Sequence, residues 1–169
     1  MPLEIERKFL IRMPDLKGWE NYPSYEIVQT YLLSEEGVTR RVRARTTADG
    51  TEYFYTEKHR KSARTAVEDE RSIAQAEYDA LLKETDHTRT PIEKRRYAIP
   101  YDGHTIEIDI YSFWKKQATL EVELQREDEA FALPPFIEVI REVTADYRYK
   151  NHALAREIPL EDQNGAVFN

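Results

Sequence analysis

Charged residues recur at every second position along this chain. Glu4, Glu6 and Lys8 open it, followed by Arg41, Arg43 and Arg45, Glu68 with Glu70, Lys94 with Arg96, Glu107 with Asp109, and Glu121 with Glu123. Period two is the side-chain repeat of a β-strand, so each group lies on one face of its strand. A solvated face ordinarily mixes both signs, whereas these charges fall into acidic and basic blocks. The basic blocks suit a polyanion with several phosphates, because arginine forks take bidentate contacts. The paired carboxylates suit Mg²⁺ or Mn²⁺, hard cations that take oxygen ligands and bridge to phosphate. Together they point to metal-dependent chemistry on a polyphosphate.

Composition narrows the alternatives. The chain has no cysteine, which excludes thiolate zinc sites, disulfides and cysteine nucleophiles. With 5 glycines in 169 residues there is nothing from which to build a G-x-x-x-x-G-K phosphate loop, so side chains must hold any phosphate. The net charge of -7 argues against general nucleic-acid binding. The four histidines (59, 87, 104 and 152) are scattered and read as surface residues. No apolar run reaches the ~20 residues of a membrane span. The charge-rich opening lacks the apolar run of a secretion signal, so a cytoplasmic protein is expected.

Alternation predicts strands at Glu4 to Ile11, Glu26 to Leu33, Thr39 to Thr46, Glu52 to Lys58, Ala66 to Ile73, Ile92 to Ile99, Thr105 to Tyr111 and Leu120 to Leu124. A helix follows Ile73, with Ala74, Tyr78, Leu81 and Leu82 as its apolar stripe and Ser72 with Gln75 as a capping box. A second helix is expected over Tyr147 to Ala155. Many strands and few helices predict an α+β, mainly β fold: an eight-stranded antiparallel closed barrel with helices packed outside. Asp49-Gly50 and Asp102-Gly103 mark two-residue hairpin turns. The first sets Arg41 opposite Lys58 and Arg43 opposite Thr56; the second sets Arg96 opposite Asp109. With the charged faces inward, the lumen must be wet and ion-filled, since each unpaired buried ion costs several kcal/mol.

Glu4-x-Glu6-x-Lys8 resembles the E-x-E-x-K signature of the CYTH superfamily, the triphosphate tunnel metalloenzymes. Gln29-x-Tyr31-Leu32, Arg41-x-Arg43, Thr56-x-Lys58, Glu68-x-Glu70, Lys94-x-Arg96-Tyr97, Glu107-x-Asp109 and Glu121-x-Glu123 follow in the family's order. The tail from Glu142 to Leu154 is similar too, so the resemblance assigns residues 1–158 to one such domain and leaves 159–169 as a tail. It implies a tunnel that binds a triphosphate with Mg²⁺ or Mn²⁺, most like the small bacterial tripolyphosphatases. Glu4, Glu6, Glu121 and Glu123 would hold a first metal, and Asp109 with Glu68 or Glu70 would hold a second or orient water. Lys8, Arg41, Arg43, Lys58, Lys94 and Arg96 would bind phosphate, and Tyr31 would be an active-site residue acting as proton acceptor. Lys8, Glu4 and Glu6 complete the expected catalytic set. The implied partner is a small-molecule triphosphate, with no nucleic acid or membrane; a homodimer is compatible. Class IV adenylate cyclase, thiamine triphosphatase and a non-catalytic triphosphate-binding module are the alternatives. Two positions depart from the pattern: Ala118-Thr119 replaces a glycine-containing stretch, and Ala66 stands where an arginine is common, with Arg64 displaced.

Overall fold

The computed structural model describes residues 3–161. Eight antiparallel strands close on themselves: β1 (Leu3–Arg12), β2 (Ser24–Leu32), β3 (Val38–Thr47), β4 (Gly50–Arg60), β5 (Thr65–Ile73), β6 (Ile92–Tyr101), β7 (His104–Tyr111) and β8 (Gln117–Leu124). They run β5-β4-β3-β2-β6-β7-β8-β1, and pairing of Leu3–Ile5 with Thr65–Val67 shuts the barrel between β1 and β5. All eight expected strands form, because each supplies the alternation that a two-faced wall needs.

A ninth strand, β9 (Val139–Glu142), lies outside the sequence expectation. It pairs with Phe9–Ile11 on the edge of β1 that β5 leaves open, covering backbone that would otherwise stay unpaired. Four residues are too few to show a period.

Register is where the two Asp-Gly turns differ. Asp102 (φ 49°) and Gly103 (φ 80°) both take positive φ, and Arg96 sits opposite Asp109 as expected. At the other hairpin Gly50 alone turns positive (φ 126°), and the closing pair is Thr47 with Gly50. The expected pairing therefore moves by two residues. Arg41 faces Thr56, Arg43 faces Phe54, and Lys58 faces Thr39. A slip of two keeps every side chain on its face but removes the direct Arg41–Lys58 opposition.

The apolar core lies outside the barrel wall. Phe9, Ile11, Ile106, Ile108, Leu120 and Val122 point outward and pack under Trp19, Tyr22, Phe131, Leu133 and Ile137 from the connecting segments. α1 (Gln75–Leu81) covers another sector, where Tyr78 and Leu81 pack against a cluster built on Leu32, Val42 and Ile73. Its N-cap is Ala74 with no side-chain cap bond, so the Ser72–Gln75 capping box does not form. The second helix is also broken. Tyr147–Tyr149 form one 3₁₀ turn, Lys150 is extended (ψ 141°), and α2 covers only Asn151–Leu154.

This C-terminal segment matters for the site. At one end of the barrel the inward positions become apolar (Leu10, Tyr31, Ile92 and Tyr111), and Trp114, Tyr149 and Leu154 pack into them. One sector of that end is thereby plugged. Beyond it, Pro159 and Glu161 accept hydrogen bonds from Trp114 and from the Lys115 and Lys116 amides. The rest of the expected tail, 162–169, lies outside the described residues. No described helix is long and apolar enough to cross a membrane.

Candidate active site

The eight walls place all the sequence-selected residues inward, in one lattice of alternating charge. Lys58 reaches Glu4 at 2.8 Å and Glu68 at 3.5 Å, while Arg41 reaches Glu68 at 3.6 Å. Arg43 pairs with Glu70 at 2.9 Å, and Thr56 donates to the same carboxylate. Lys8 sits 3.4 Å from Glu121 and donates to the Tyr149 carbonyl oxygen at 2.6 Å. Across the tunnel both oxygens of Asp109 are engaged: Arg96 donates to each, at 2.7 and 2.9 Å, and Lys94 donates at 2.8 Å. Arg96 also reaches Glu107 at 3.2 Å. Acidic and basic blocks that are separate in sequence thus become neighbours across strands.

Electrostatics sort these groups. Burial opposes ionisation of Asp109, but Arg96 and Lys94 overcome it and hold the carboxyl far below its usual range. Burial and the neighbouring Arg96 pull Lys94 down to about 7, against the attraction of Asp109. Burial and the charges of Arg41 and Arg96 lower Arg43 to about 10. These cations are crowded and lack sufficient counter-charge, the condition a bound polyanion would relieve.

The carboxylates show the converse. Glu6 and Glu123 are direct cross-strand partners, as are Glu107 and Glu121, and like charges so placed repel. Burial, then Glu121 and Glu4, push Glu6 well above its usual value. Burial and a hydrogen bond with Glu4 raise Glu68 to about 7, while Glu4 itself, favoured by that bond and by Lys58, stays ionised. Burial also raises Glu123, with Glu4 and Glu121 adding to it. Glu4, Glu6, Glu121 and Glu123 offer oxygen donors whose repulsion a hard divalent cation would relieve, so the donor set fits Mg²⁺ or Mn²⁺. Among the described residues no three of them already converge as a ligand cluster.

Comparisons with known proteins bear on the chain as a whole. The chain is 36% identical over 162 residues to the inorganic triphosphatase of Nitrosomonas europaea, covering 92% of this chain and 99% of that one. The chain belongs to the CYTH superfamily, the triphosphate tunnel metalloenzymes. A crystal structure of an inorganic triphosphatase superposes on this tunnel with a TM-score of 0.59 at 35% identity, covering 94% of this chain and 98% of the other. A Pyrococcus furiosus protein shares the fold, at 18% identity and a TM-score of 0.57, over 74% of this chain and 80% of its own. No family model matches the chain.

Both departures from the family pattern have structural answers in this CYTH tunnel. Thr119 is buried within the wall, and its hydroxyl lies 3.5 Å from that of Tyr111. Arg64 turns away from the lattice and donates to the Glu127 carbonyl oxygen, while Ala66 is fully buried beside Glu4.

The tunnel also gives places to residues outside the alternating charges. Gln29 is fully buried and donates to the Tyr31 hydroxyl at 2.6 Å; its amide oxygen has no partner among the described residues. His152, expected on the surface, lies with its ring 4.9 Å from that of Tyr31. Burial, then Arg89 and Arg156, lower it to about 4, so it is neutral near pH 7. Arg60, Arg89, Lys150 and Arg156 join Lys8, Tyr31 and Arg41 around a cavity of about 550 Å³ at the plugged end. Arg60 follows Lys58 at the strand period on β4, whereas Arg89, Lys150 and Arg156 lie outside the expected strands. α2 and the loop before β6 deliver most of them, and only folding brings those segments to the barrel.

Proposed function

We propose that this chain hydrolyses inorganic tripolyphosphate to pyrophosphate and orthophosphate, with Mg²⁺ or Mn²⁺ as cofactor. The observation that carries the reading is the near-full-length relation to an inorganic triphosphatase, joined to a lumen lined by Lys8, Arg41, Arg43, Lys58, Lys94 and Arg96. Those six cations would align and neutralise the phosphate chain, which is most of what phosphoryl transfer asks of a protein. Glu4, Glu6, Glu121 and Glu123 would hold the metal, with Glu6 giving up the proton that burial and its acidic neighbours favour. The bound metal would supply Lewis-acid neutralisation at the phosphate oxygens. Asp109 would keep Lys94 and Arg96 aimed inward, since it engages both. Glu70 would do the same for Arg43. Tyr31, with its oxygen fixed by Gln29, would orient the attacking water. That water attacks the terminal phosphorus, the phosphoanhydride bond breaks, pyrophosphate leaves with the bonding electron pair, and the proton lost by the water ends on a pyrophosphate oxygen.

The test offers tripolyphosphate, ATP and thiamine triphosphate to the purified protein with each metal, and separates the products. Tripolyphosphate should be consumed fastest, and chelation should stop it. Cyclic AMP from ATP would replace this reading with a cyclase. No turnover of any of the three would replace it with a binding module.

A further inference from the structure

The tunnel wall changes character at the mouth beside α2. Deeper in, each of the six lattice cations has a carboxylate at 3.6 Å or closer. At the mouth, Arg60, Lys150 and Arg156 pair with no carboxylate among the described residues. Lys150 donates to the Ala63 carbonyl oxygen at 3.1 Å and Arg156 to the Thr88 hydroxyl at 3.0 Å. Nη1 of Arg60 is buried and has no partner among the described residues. Arg89 has Asp86 at 3.5 Å and donates to the His152 carbonyl oxygen. Glu6, Glu35 and Glu36 line the same cavity, but among the described residues none forms an ion pair with Arg60, Lys150 or Arg156. Uncompensated cations clustered in a chain of net charge -7 mark a place for an anion. Burial and the charge of Arg60 pull Lys150 down to about 8, against the attraction of Glu6 and Glu121.

The position of the cluster says which anion. The cavity of about 550 Å³ runs without a break from Lys8, Arg41 and Lys58 of the lattice to Arg60, Arg89 and Arg156. Arg60 is two residues beyond Lys58 on β4, roughly 7 Å farther out along the strand. A second cavity of about 340 Å³ adjoins, sharing Arg89, His152, Ala153 and Arg156 as its wall. A ligand that continues outward from the lattice meets these cations in succession, as a chain would.

We propose that this mouth is an outer anion subsite for linear polyphosphate longer than three units, with Arg60, Arg89 and Arg156 holding the fourth and later phosphates. The inference rests on the reading that the inner lattice takes three phosphates.

The test is calorimetric titration of the full chain with tripolyphosphate and with tetrapolyphosphate. Tetrapolyphosphate should bind about tenfold tighter, the worth of one added charge-assisted contact. Arg156→Glu, and more mildly Arg156→Gln, should erase that increment and leave tripolyphosphate affinity within about threefold. Thr88→Val removes the same hydrogen bond but keeps the guanidinium, and should retain the increment. Equal affinity of the wild type for both chains would overturn the proposal, and so would equal losses for both chains in Arg156→Glu. Loss of the increment in Thr88→Val would assign Arg156 to holding the loop and overturn it as well. Binding with the increment but without hydrolysis of tripolyphosphate would sink the hydrolase reading and leave the subsite standing; hydrolysis without the increment does the reverse.

Discussion

Glu6 and Glu123 stand directly opposite one another on β1 and β8, a like-charge pair in the tunnel wall. Glu6 is also pressed by Glu121 and Glu4, and the burial of Glu6 and Glu121 leaves water little room to screen those two. Such a pair is unfavourable alone and favourable around a cation. Mn²⁺ or Mg²⁺ should therefore raise the melting temperature of the wild type, and Glu6→Gln should lose most of that rise. Turnover of tripolyphosphate in Glu6→Gln should fall by at least two decades, equivalent to ~3 kcal/mol of transition-state stabilisation. A variant with near-normal turnover and an intact metal-induced shift would remove Glu6 from the metal site.

Arg43 sits among cations, with Arg41 and Arg96 both depressing it. Removing it relieves repulsion in the free protein and costs a phosphate contact in the complex. In Arg43→Ala, kcat/KM should drop about tenfold to a hundredfold, the worth of a charged hydrogen bond of ~1.5–3 kcal/mol. The melting temperature should hold. Unchanged steady-state kinetics would argue against contact with the substrate.

Among the described residues Asp109 is the one carboxylate that engages both Lys94 and Arg96, and its side chain is 1% exposed. Asp109→Asn leaves buried Lys94 without its counter-ion and Arg96 with Glu107 alone. Urea unfolding should show a loss of about 3–5 kcal/mol, as for other buried pairs broken from one side. A loss under about 1 kcal/mol would mean that water already compensates these cations.

Gln29 holds the Tyr31 oxygen from a fully buried position. Gln29→Leu should lower kcat about tenfold while KM stays level, since the contact is to Tyr31 and not to phosphate. Tyr31→Phe should cost as much as or more than Gln29→Leu, and the double variant no more than Tyr31→Phe alone. Additive losses would separate the two residues.

His152 has an ordinary value of 6.5 and is held near 4 by burial, with Arg89 and Arg156 adding to it and Asp86 opposing. Between those values the unfolded chain binds a proton that the folded chain refuses. Stability therefore rises with pH across this window and is lost on acidification. His152→Phe keeps a ring against Tyr31 but removes the titration. Measured with chelator present, the wild type should lose more melting temperature than the variant between about pH 7 and about pH 4.5. Parallel losses would show that carboxylates alone set the acid response.

The fold was legible because charge and apolar residues alternate on eight strands, and Asp102-Gly103 fixed one register outright. Asp49-Gly50 misled: the same dipeptide closes a different turn when Asp49 stays at negative φ. The helix start and the length of the C-terminal helix also resisted, since caps and breaks depend on what the neighbouring segment packs against. β9 carries too short a pattern to be read, and it forms because the edge of β1 is vacant beyond Ile5.

Period two by itself determined which charges share a face within each strand, Glu4 with Glu6 and Lys8, Arg41 with Arg43, Lys94 with Arg96 and Glu121 with Glu123, because side-chain direction along a strand is a local property. Which of them are neighbours, which are crowded into perturbed ionisation, and what closes the far end are not local. Closure between β1 and β5 set the pairs, and the return of the C-terminal segment brought Lys150, His152 and Arg156 to the mouth. Those contacts join residues far apart in the chain, Leu3 with Val67 and Lys8 with Tyr149 among them, and only the folded barrel brings them together.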